Sequence, residues 1–376
     1  MDSGDFGTSN EFKVKEDQKE FRYNRKKFDS KTLKLFCESL SKSKKLETVS
    51  IVGGNLEKEF VDKVFPAFSK VETLKHLSLY CQHMNTQSLK NLFGHVNQSL
   101  GLESLNFYFS ERAAFLFESE QIKIYCDFLR ENKTIKVIDL SHIDFSQQKQ
   151  ILETLESNQT IEEITGLLIE KEIIQGLQVL FERNQLIDKL ELLGDMREYP
   201  SLGVFFESLQ KSNTKLISLK INFSSDGDNK QIFKEIVEFM AGNQSLIEFS
   251  LTKVPFGKEG LEALLKALEG NKTLRKLNIT RNGLDRGCGE VLERWLEKND
   301  TLEEIKFGMY HVWISHSNHI SKVTKERVKG KLKENRNSNI LKKKAQITLL
   351  LAQKRKECIV SKLPRRVLIY LSNFLF

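Results

Sequence analysis

Apolar residues recur along this chain in a register that repeats about every 28 residues. Each unit opens with an aliphatic residue, has a second apolar residue three positions later and, with one exception, a third five positions later. This spacing is typical of a short strand with one buried edge, and a helical pattern follows it. A single strand–helix unit cannot bury its own apolar face, so the register predicts a stack of repeats. The ten opening residues are Leu46, Leu74, Leu102, Ile135, Ile161, Ile187, Leu216, Leu246, Leu274 and Leu302.

The unit that opens at Leu274 shows the pattern most fully. Leu277 and Ile279 complete its strand, and Asn282 and Leu284 follow in the turn before a helix. This unit resembles leucine-rich repeats of the ribonuclease-inhibitor class, which read LxxLxLxxNxL followed by a helix. The resemblance covers about three quarters of the chain. It implies an α/β fold, a curved solenoid of about ten repeats with parallel strands on the concave face, helices on the convex face and a helical C-terminal cap.

Two kinds of residue mark the junctions between elements. An asparagine three positions before a strand opening is expected to end the preceding helix in the left-handed conformation, which asparagine tolerates. Asn282 alone occupies the turn position of the repeat pattern, so the other strand-to-helix turns must be held differently. Gly166 replaces the third apolar residue of its strand and predicts a bulge there. The asparagines before strands are Asn132, Asn158, Asn184, Asn213, Asn243, Asn271 and Asn299.

Three segments follow from these patterns. Residues 1–27 are predicted to be a polar lead-in, residues 28–317 the solenoid, and residues 318–376 a basic helical segment. A helix that starts at Asp29 or Ser30 is expected to cap the open edge of the first repeat. No apolar run approaches the roughly 20 residues of a membrane helix, and no secretory signal pattern is present. A cytoplasmic, intracellular protein is therefore expected.

Alternate strand side chains are expected to line the concave face, at two, four and six positions after each opening residue. The early strands place aromatic residues there and the later strands mixed charge. Tyrosine covers a large contact area at low entropic cost, so this face is the predicted partner-binding surface. The candidate residues are His76, Tyr80, Tyr108, Val137, Glu163, Lys189, Glu191, Lys220, Glu248, Lys276, Glu304 and Lys306.

Positive charge is concentrated near the end of the chain. Residues 318–366 hold 16 Lys or Arg and three acidic residues, so this segment carries a net charge of +13 while the whole chain carries +8. Apolar residues near helical spacing within it predict a basic amphipathic helix. Such a helix can cap the last repeat, or bind an anionic membrane, nucleic acid phosphates or an acidic partner.

The final stretch, Leu363–Phe376, is similar to the opening of an F-box, which reads LPxEVLxxILSFL. That family binds the Skp adaptor of cullin–RING ubiquitin ligases, so the resemblance implies a Skp-type adaptor as a partner. A plain amphipathic end helix is the alternative interpretation. The matching residues are Leu363, Pro364, Val367, Leu368, Leu371, Phe374 and Leu375.

No catalytic or metal-binding motif emerges from the sequence. The seven histidines and five scattered cysteines form no metal-ligand spacing, and no phosphate-binding loop or nucleophile motif is present. We therefore expect no enzyme activity, no cofactor, no metal and no small-molecule substrate. The favoured hypothesis is a protein–protein interaction scaffold that binds a partner protein on its concave face. The alternatives are a substrate receptor of a cullin–RING ligase and a module attached to membrane or nucleic acid by its basic tail.

Overall fold

The computed structural model describes residues 14–24, 30–52, 58–81, 84–98, 101–109, 117–194, 201–211, 215–223, 230–307 and 322–354. Within these residues, eleven strands alternate with eleven helices. The α/β repeat architecture predicted from the apolar register is confirmed, with one strand more than the ten predicted.

The elements are short and regular. The strands are β1 (Glu20–Asn24), β2 (Thr48–Val52), β3 (His76–Cys81), β4 (Ser104–Phe109), β5 (Val137–Asp139), β6 (Glu163–Leu168), β7 (Lys189–Gly194), β8 (Ser218–Phe223), β9 (Glu248–Thr252), β10 (Lys276–Asn278) and β11 (Glu304–Lys306). The helices are α1 (Ser30–Leu40), α2 (Lys58–Phe68), α3 (Thr86–Gln98), α4 (Ser119–Glu131), α5 (Phe145–Leu155), α6 (Lys171–Arg183), α7 (Gly203–Lys211), α8 (Lys230–Gly242), α9 (Gly257–Ala267), α10 (Arg286–Lys298) and α11 (Lys322–Lys354).

The strands form one open sheet whose spatial order is the chain order, from β1 to β11. Equivalent repeat positions face each other in parallel register, so Val49 pairs with Leu77 and Leu77 with Leu105. These three side chains are 2% exposed or less. Burial of each such side chain stabilises the fold by about 1.5–3 kcal/mol, and stacking the repeats is what removes it from water.

The helices bury one stripe each, at the spacing expected for an amphipathic helix. In α6 the buried residues are Ile173, Ile174, Leu177, Leu180 and Phe181. Within each unit, strands and helices thus share an apolar layer on one face of the sheet.

The first strand lies where the sequence predicted only a polar lead-in. β1 pairs with β2 in the register of a full repeat, with Phe21 opposite Val49. Phe21 is buried and stacks on Phe36 of α1, with ring centroids 5.3 Å apart. The helix α1 begins at Ser30 as expected, but it belongs to this additional repeat, so the prediction that it caps an open edge is wrong. Gln18 stands where other repeats have their opening aliphatic residue, which hid this unit.

Two compact units divide the chain, Met1–Asn222 and Phe223–Phe376. The division into a lead-in, a solenoid and a basic segment at residues 27 and 317 stays a prediction. Across the part of the chain that the structure describes, no helix combines the length and apolar character needed to cross a membrane.

Candidate protein-interaction surface

The side of the sheet away from the buried layer, called the open face below, carries the predicted partner-binding residues. Parallel register sets His76, Ser104, Val137, Glu163 and Lys189 side by side across β3 to β7. In the second unit the same register sets Glu248, Lys276 and Glu304 side by side. The repeat therefore converts residues about 28 positions apart in the sequence into adjacent rows on one surface.

The remaining candidates lie in β3, β4, β7, β8 and β11. Tyr80 and Tyr108 are register partners in β3 and β4. Glu191 and Lys220 are both half-buried, in β7 and β8, and Lys306 in β11 is exposed. That these residues together form a partner-binding surface stays a prediction.

A bulge in β6 brings apolar side chains onto the open face. Gly166 has φ +74°, and a Cβ atom on it would lie 2.2 Å from the backbone nitrogen of Ser141. The register consequently shifts, so that Leu167 pairs with Leu192 and Leu168 with Leu193. The bulge predicted from Gly166 is confirmed. Its consequence was missed, because the shift buries Leu167 and turns the half-exposed Leu168 outward beside Leu193.

A buried glutamine stabilises this bulge. The Nε2 of Gln148 donates to the carbonyl oxygens of Leu140, at 2.9 Å, and Gly166, at 3.3 Å, while its Oε1 accepts from the nitrogen of Leu168 at 2.9 Å. Gln148 is fully buried, so these bonds satisfy backbone groups that water cannot reach. The position of the bulge is therefore fixed by a side chain from α5.

Charged pairs on the open face are close but partly exposed. The carboxylate of Glu163 lies 3.3 Å from the Nζ of Lys189, and that of Glu248 lies 4.0 Å from the Nζ of Lys276. Ion pairs of this exposure stabilise a fold by about 0–1 kcal/mol. Their main effect is to leave the rows nearly neutral and available to an incoming partner.

Glu191 lies among several charged groups on this face. Burial raises the pKa of its carboxyl, Lys220 opposes that shift, and the nearby carboxylates of Asp139 and Glu163 add to it. Asn222 donates a hydrogen bond to its Oε1. A cation brought by a partner would relieve this concentration of negative charge. The repeat spacing predicted Glu191, whereas Asp139 and Asn222 were not singled out.

Asparagines shape the start of many strands, by a different mechanism from the one predicted. Asn132, Asn184 and Asn299 follow helices with φ between −111° and −67°, which is extended and not left-handed backbone. The Oδ1 of Asn158 accepts from the nitrogens of Thr160 and Ile161, at 2.9 and 2.8 Å. The side chain, and not a left-handed backbone, makes the turn, so the predicted conformation is wrong while the predicted positions are right.

The same asparagines link successive repeats. Asn158 donates through Nδ2 to the carbonyl of Leu129 at 2.7 Å, and Asn184 donates to the carbonyl of Leu155 at 2.8 Å. Asn271 donates to the carbonyl of Asn243 at 2.8 Å. Each bond crosses from one repeat to the one before it and fixes the spacing of the strands that carry the open face.

One strand-to-helix turn without an asparagine like Asn282 is held by a glutamine. Asn282 is fully buried, accepts from the nitrogen of Val254 at 2.7 Å and donates to the carbonyl of Leu251 at 2.8 Å. In the first unit, Gln147 bonds both backbone groups of Phe117, at 2.8 and 2.6 Å. The expectation that turns without such an asparagine are held by other residues is confirmed for the turn at Phe117. The responsible residue was not foreseen, because a polar residue on an amphipathic helix usually faces water.

Helix α11 packs on the last repeat through a mixed polar and apolar stripe. Val328, Leu332, Asn335 and Asn339 are buried. The Nδ2 of Asn335 donates to the carbonyls of Asn299 and Leu302, both at 2.9 Å. These contacts are those of a cap that satisfies the backbone at the start of β11, as the sequence predicted for this segment.

No metal site or activated nucleophile occurs among the described residues. No group of three or more His, Cys, Asp or Glu side chains in them could hold a metal ion. Burial raises the pKa of the Cys288 thiol to about 11, so this thiol is protonated and unreactive at neutral pH. The F-box-like residues Leu363, Pro364, Val367, Leu368, Leu371, Phe374 and Leu375 lie outside the described residues.

Comparison with known proteins identifies the architecture. No protein-family model matches the chain, and no curated protein is similar to it in sequence. A leucine-rich-repeat-containing protein, LegL7 from Legionella pneumophila, is similar in structure with a TM-score of 0.52 and 14% identity, over 83% of this chain and 98% of that one. This chain has a leucine-rich-repeat fold. A complex of Rad7 and Elc1 from yeast matches with a TM-score of 0.47 and 17% identity, over 80% of this chain and 79% of that one.

Proposed function

We propose that this leucine-rich-repeat chain is a non-enzymatic scaffold that binds a partner protein on the open face of its sheet. The observation that carries the proposal is the parallel register, which arrays His76, Val137, Glu163 and Lys189 as one row that helices do not cover. Stacked repeats of this kind build extended surfaces on which the side chain at one position can differ without altering the fold of the neighbouring repeats. Binding specificity then resides in single side chains along such rows.

The strands β5 to β7 offer the most defined chemistry for a partner. Leu168 and Leu193 are half-exposed aliphatic register partners, and Glu191 stands two residues before Leu193 on the same strand. Apolar contact area near this carboxylate suits a partner segment with a lysine or arginine beside an apolar residue. Tyr80 and Tyr108, neighbours in register, are proposed to extend this surface toward the start of the chain.

A swap of one ion pair tests the proposal without removing the pair. Glu163→Lys combined with Lys189→Glu keeps opposite charges opposite each other but inverts their order on the open face. Partner proteins are first captured from lysate with the wild-type chain and purified. We expect the swap to leave the fold unchanged and to lower partner affinity, measured by calorimetry, tenfold or more.

The matched control swaps an ion pair on the helices. The Nζ of Lys90 lies 2.8 Å from the carboxylate of Glu120, between α3 and α4. Lys90→Glu with Glu120→Lys should leave partner affinity unchanged. If this swap abolishes binding while the open-face swap does not, the partner binds the helices and the proposal is wrong.

The second candidate is a substrate receptor that reaches a cullin–RING ubiquitin ligase through the F-box-like segment. What supports it is the sequence LPRRVLIYLSNFLF at Leu363–Phe376. A purified Skp-type adaptor should bind the full chain, and Leu368→Asp should abolish that binding because a carboxylate replaces a contact made by an apolar side chain. Asn373→Asp is the control for added charge. An adaptor that ignores the wild-type chain eliminates this candidate.

A further inference from the structure

The basic side chains of α11 fall on two flanks with different surroundings. On the flank toward α10, the guanidinium of Arg327 lies 3.6 Å from Glu293 and the Nζ of Lys342 lies 3.5 Å from Asp300. Lys272 and Lys342 lower the pKa of Asp300, although burial alone would raise it. The positive charge on this flank is therefore matched by carboxylates of the same unit.

Two lysines of α11 outside that flank carry positive charge that no ion pair among the described residues matches. Lys333 and Lys343 are exposed, and no ion pair within the described part of the chain involves them. The helix geometry of 100° per residue places Lys333, Ile340, Leu341 and Lys344 within one arc of about 100°, away from the buried stripe. This side is called the outer flank below.

Two large aliphatic side chains lie exposed within this positive charge. Ile340 is 45% exposed and Leu341 is 58% exposed. Asn339 beside them is buried, whereas Gln346, two turns after Asn339 on the same side of the helix, is exposed. A single exposed aliphatic residue is common on proteins, but here an adjacent exposed pair is followed directly by three lysines, so apolar contact area and positive charge lie side by side.

We propose that the outer flank of α11, centred on Ile340 and Leu341, binds the surface of an anionic membrane. Lysines on this flank would contact acidic lipid headgroups, while the two aliphatic side chains enter the boundary between headgroups and acyl chains. Nucleic acid phosphates would also attract the lysines, but they offer no apolar environment to Ile340 and Leu341. The two features together therefore favour a lipid surface. Attachment of this kind is peripheral and leaves the open face of the sheet free for a protein partner.

Vesicle flotation with the full chain tests this inference. Wild-type protein should float with vesicles that contain phosphatidylserine and remain unbound with pure phosphatidylcholine. Raising the ionic strength from about 0.1 M to about 1 M shortens the Debye length from about 10 Å to about 3 Å and should weaken binding tenfold or more. Ile340→Asp with Leu341→Asp should abolish flotation, because each carboxylate opposes both headgroup charge and insertion.

Two further variants separate charge from insertion and from folding. Lys333→Gln with Lys343→Gln removes charge from exposed positions and should weaken binding to anionic vesicles tenfold or more at unchanged melting temperature. Val204→Asp is the matched control, because Val204 is an exposed aliphatic residue of another helix at 55% exposure. This control should bind vesicles as the wild-type chain does.

Three results would overturn the inference. The first is wild-type protein that binds duplex DNA and no vesicle, which assigns the lysines to nucleic acid. The second is a double-aspartate variant that floats as well as the wild type, which shows that the aliphatic pair does not insert. The third is wild-type protein that ignores vesicles while the double-aspartate variant melts at lower temperature, which shows that another part of the chain covers Ile340 and Leu341.

Discussion

Individual buried amides determine how one repeat follows another in this chain. Asn282 and Gln148 come from a turn and a helix, yet both are fully buried and both bond backbone groups on two sides. A buried backbone group without a hydrogen-bond partner destabilises the fold by about 1–3 kcal/mol. Each of these amides bonds more than one such group and so avoids that cost more than once. Gly166 contributes at the same scale, since the bulge requires both its positive φ and its missing Cβ.

Gly166→Ala is expected to destabilise the protein by several kcal/mol. The added methyl group would lie 2.2 Å from the nitrogen of Ser141 and would impose strain at φ +74°. Gly94→Ala is the matched control, because Gly94 lies within α3 and nothing approaches its Cβ position within 4 Å. That control should gain about 0.5–1 kcal/mol from helix propensity. Urea unfolding of both variants measures the difference, and equal stabilities would contradict the role given to Gly166.

Among the elements, α11 buries polar side chains against the last repeat, as α5 does within the first unit. The repeat helix α6 turns a purely apolar stripe inward, whereas α11 buries Asn335 and Asn339 beside Val328 and Leu332. The reason is its location at β11, since among the described residues no further repeat follows that strand to supply donors to its backbone carbonyls. Asn335 replaces the missing repeat by donating to the carbonyls of Asn299 and Leu302.

Asn335→Ala tests the capping role of α11. The change leaves two buried carbonyls without their donor and should cost about 1–3 kcal/mol. Asn337→Ala is the control on the same helix, because Asn337 is exposed. Amide hydrogen exchange should accelerate in β11 and α10 for the first variant only. Equal exchange in the two variants would show that α11 does not stabilise the last repeat.

The molecule as a whole is built from contacts between neighbouring repeats. The sheet follows chain order throughout, so a repeat exchanges strand hydrogen bonds only with the units before and after it. Stability in such a chain is close to a sum of repeat and interface contributions. A local loss of packing should therefore spread along the repeats with diminishing effect.

Leu177→Ala measures how far such a loss spreads within the first unit. Leu177 of α6 is fully buried, so its truncation should cost about 2–5 kcal/mol. Hydrogen exchange should rise most in β6 and β7 and least in β2. Leu186→Ala, at a residue 37% exposed, should have little effect. A uniform rise across β2 to β7 would instead indicate that the unit unfolds in a single cooperative step.

The open face could be predicted in its rows but not in its details. A strict repeat length places equivalent residues in register, so Glu163 and Lys189 follow from counting alone. Leu168 could not be predicted this way, because the bulge at Gly166 shifts the alternation by one residue. The environment of Glu191 also depends on Asp139, which stands 52 positions earlier in the sequence and is brought near by the intervening strands.

The sequence by itself determined the repeat, the helix–strand order and the site of the bulge, since these depend on apolar periodicity and on local backbone conformation. Tertiary structure alone decided the rest. β1 forms because β2 offers it a partner, although Gln18 breaks the pattern. Gln148 and Asn335 are buried because unpaired backbone groups of other elements surround them. Hydrogen bonding between repeats outweighs the usual preference of a polar residue for water wherever a buried backbone group would otherwise lack a partner.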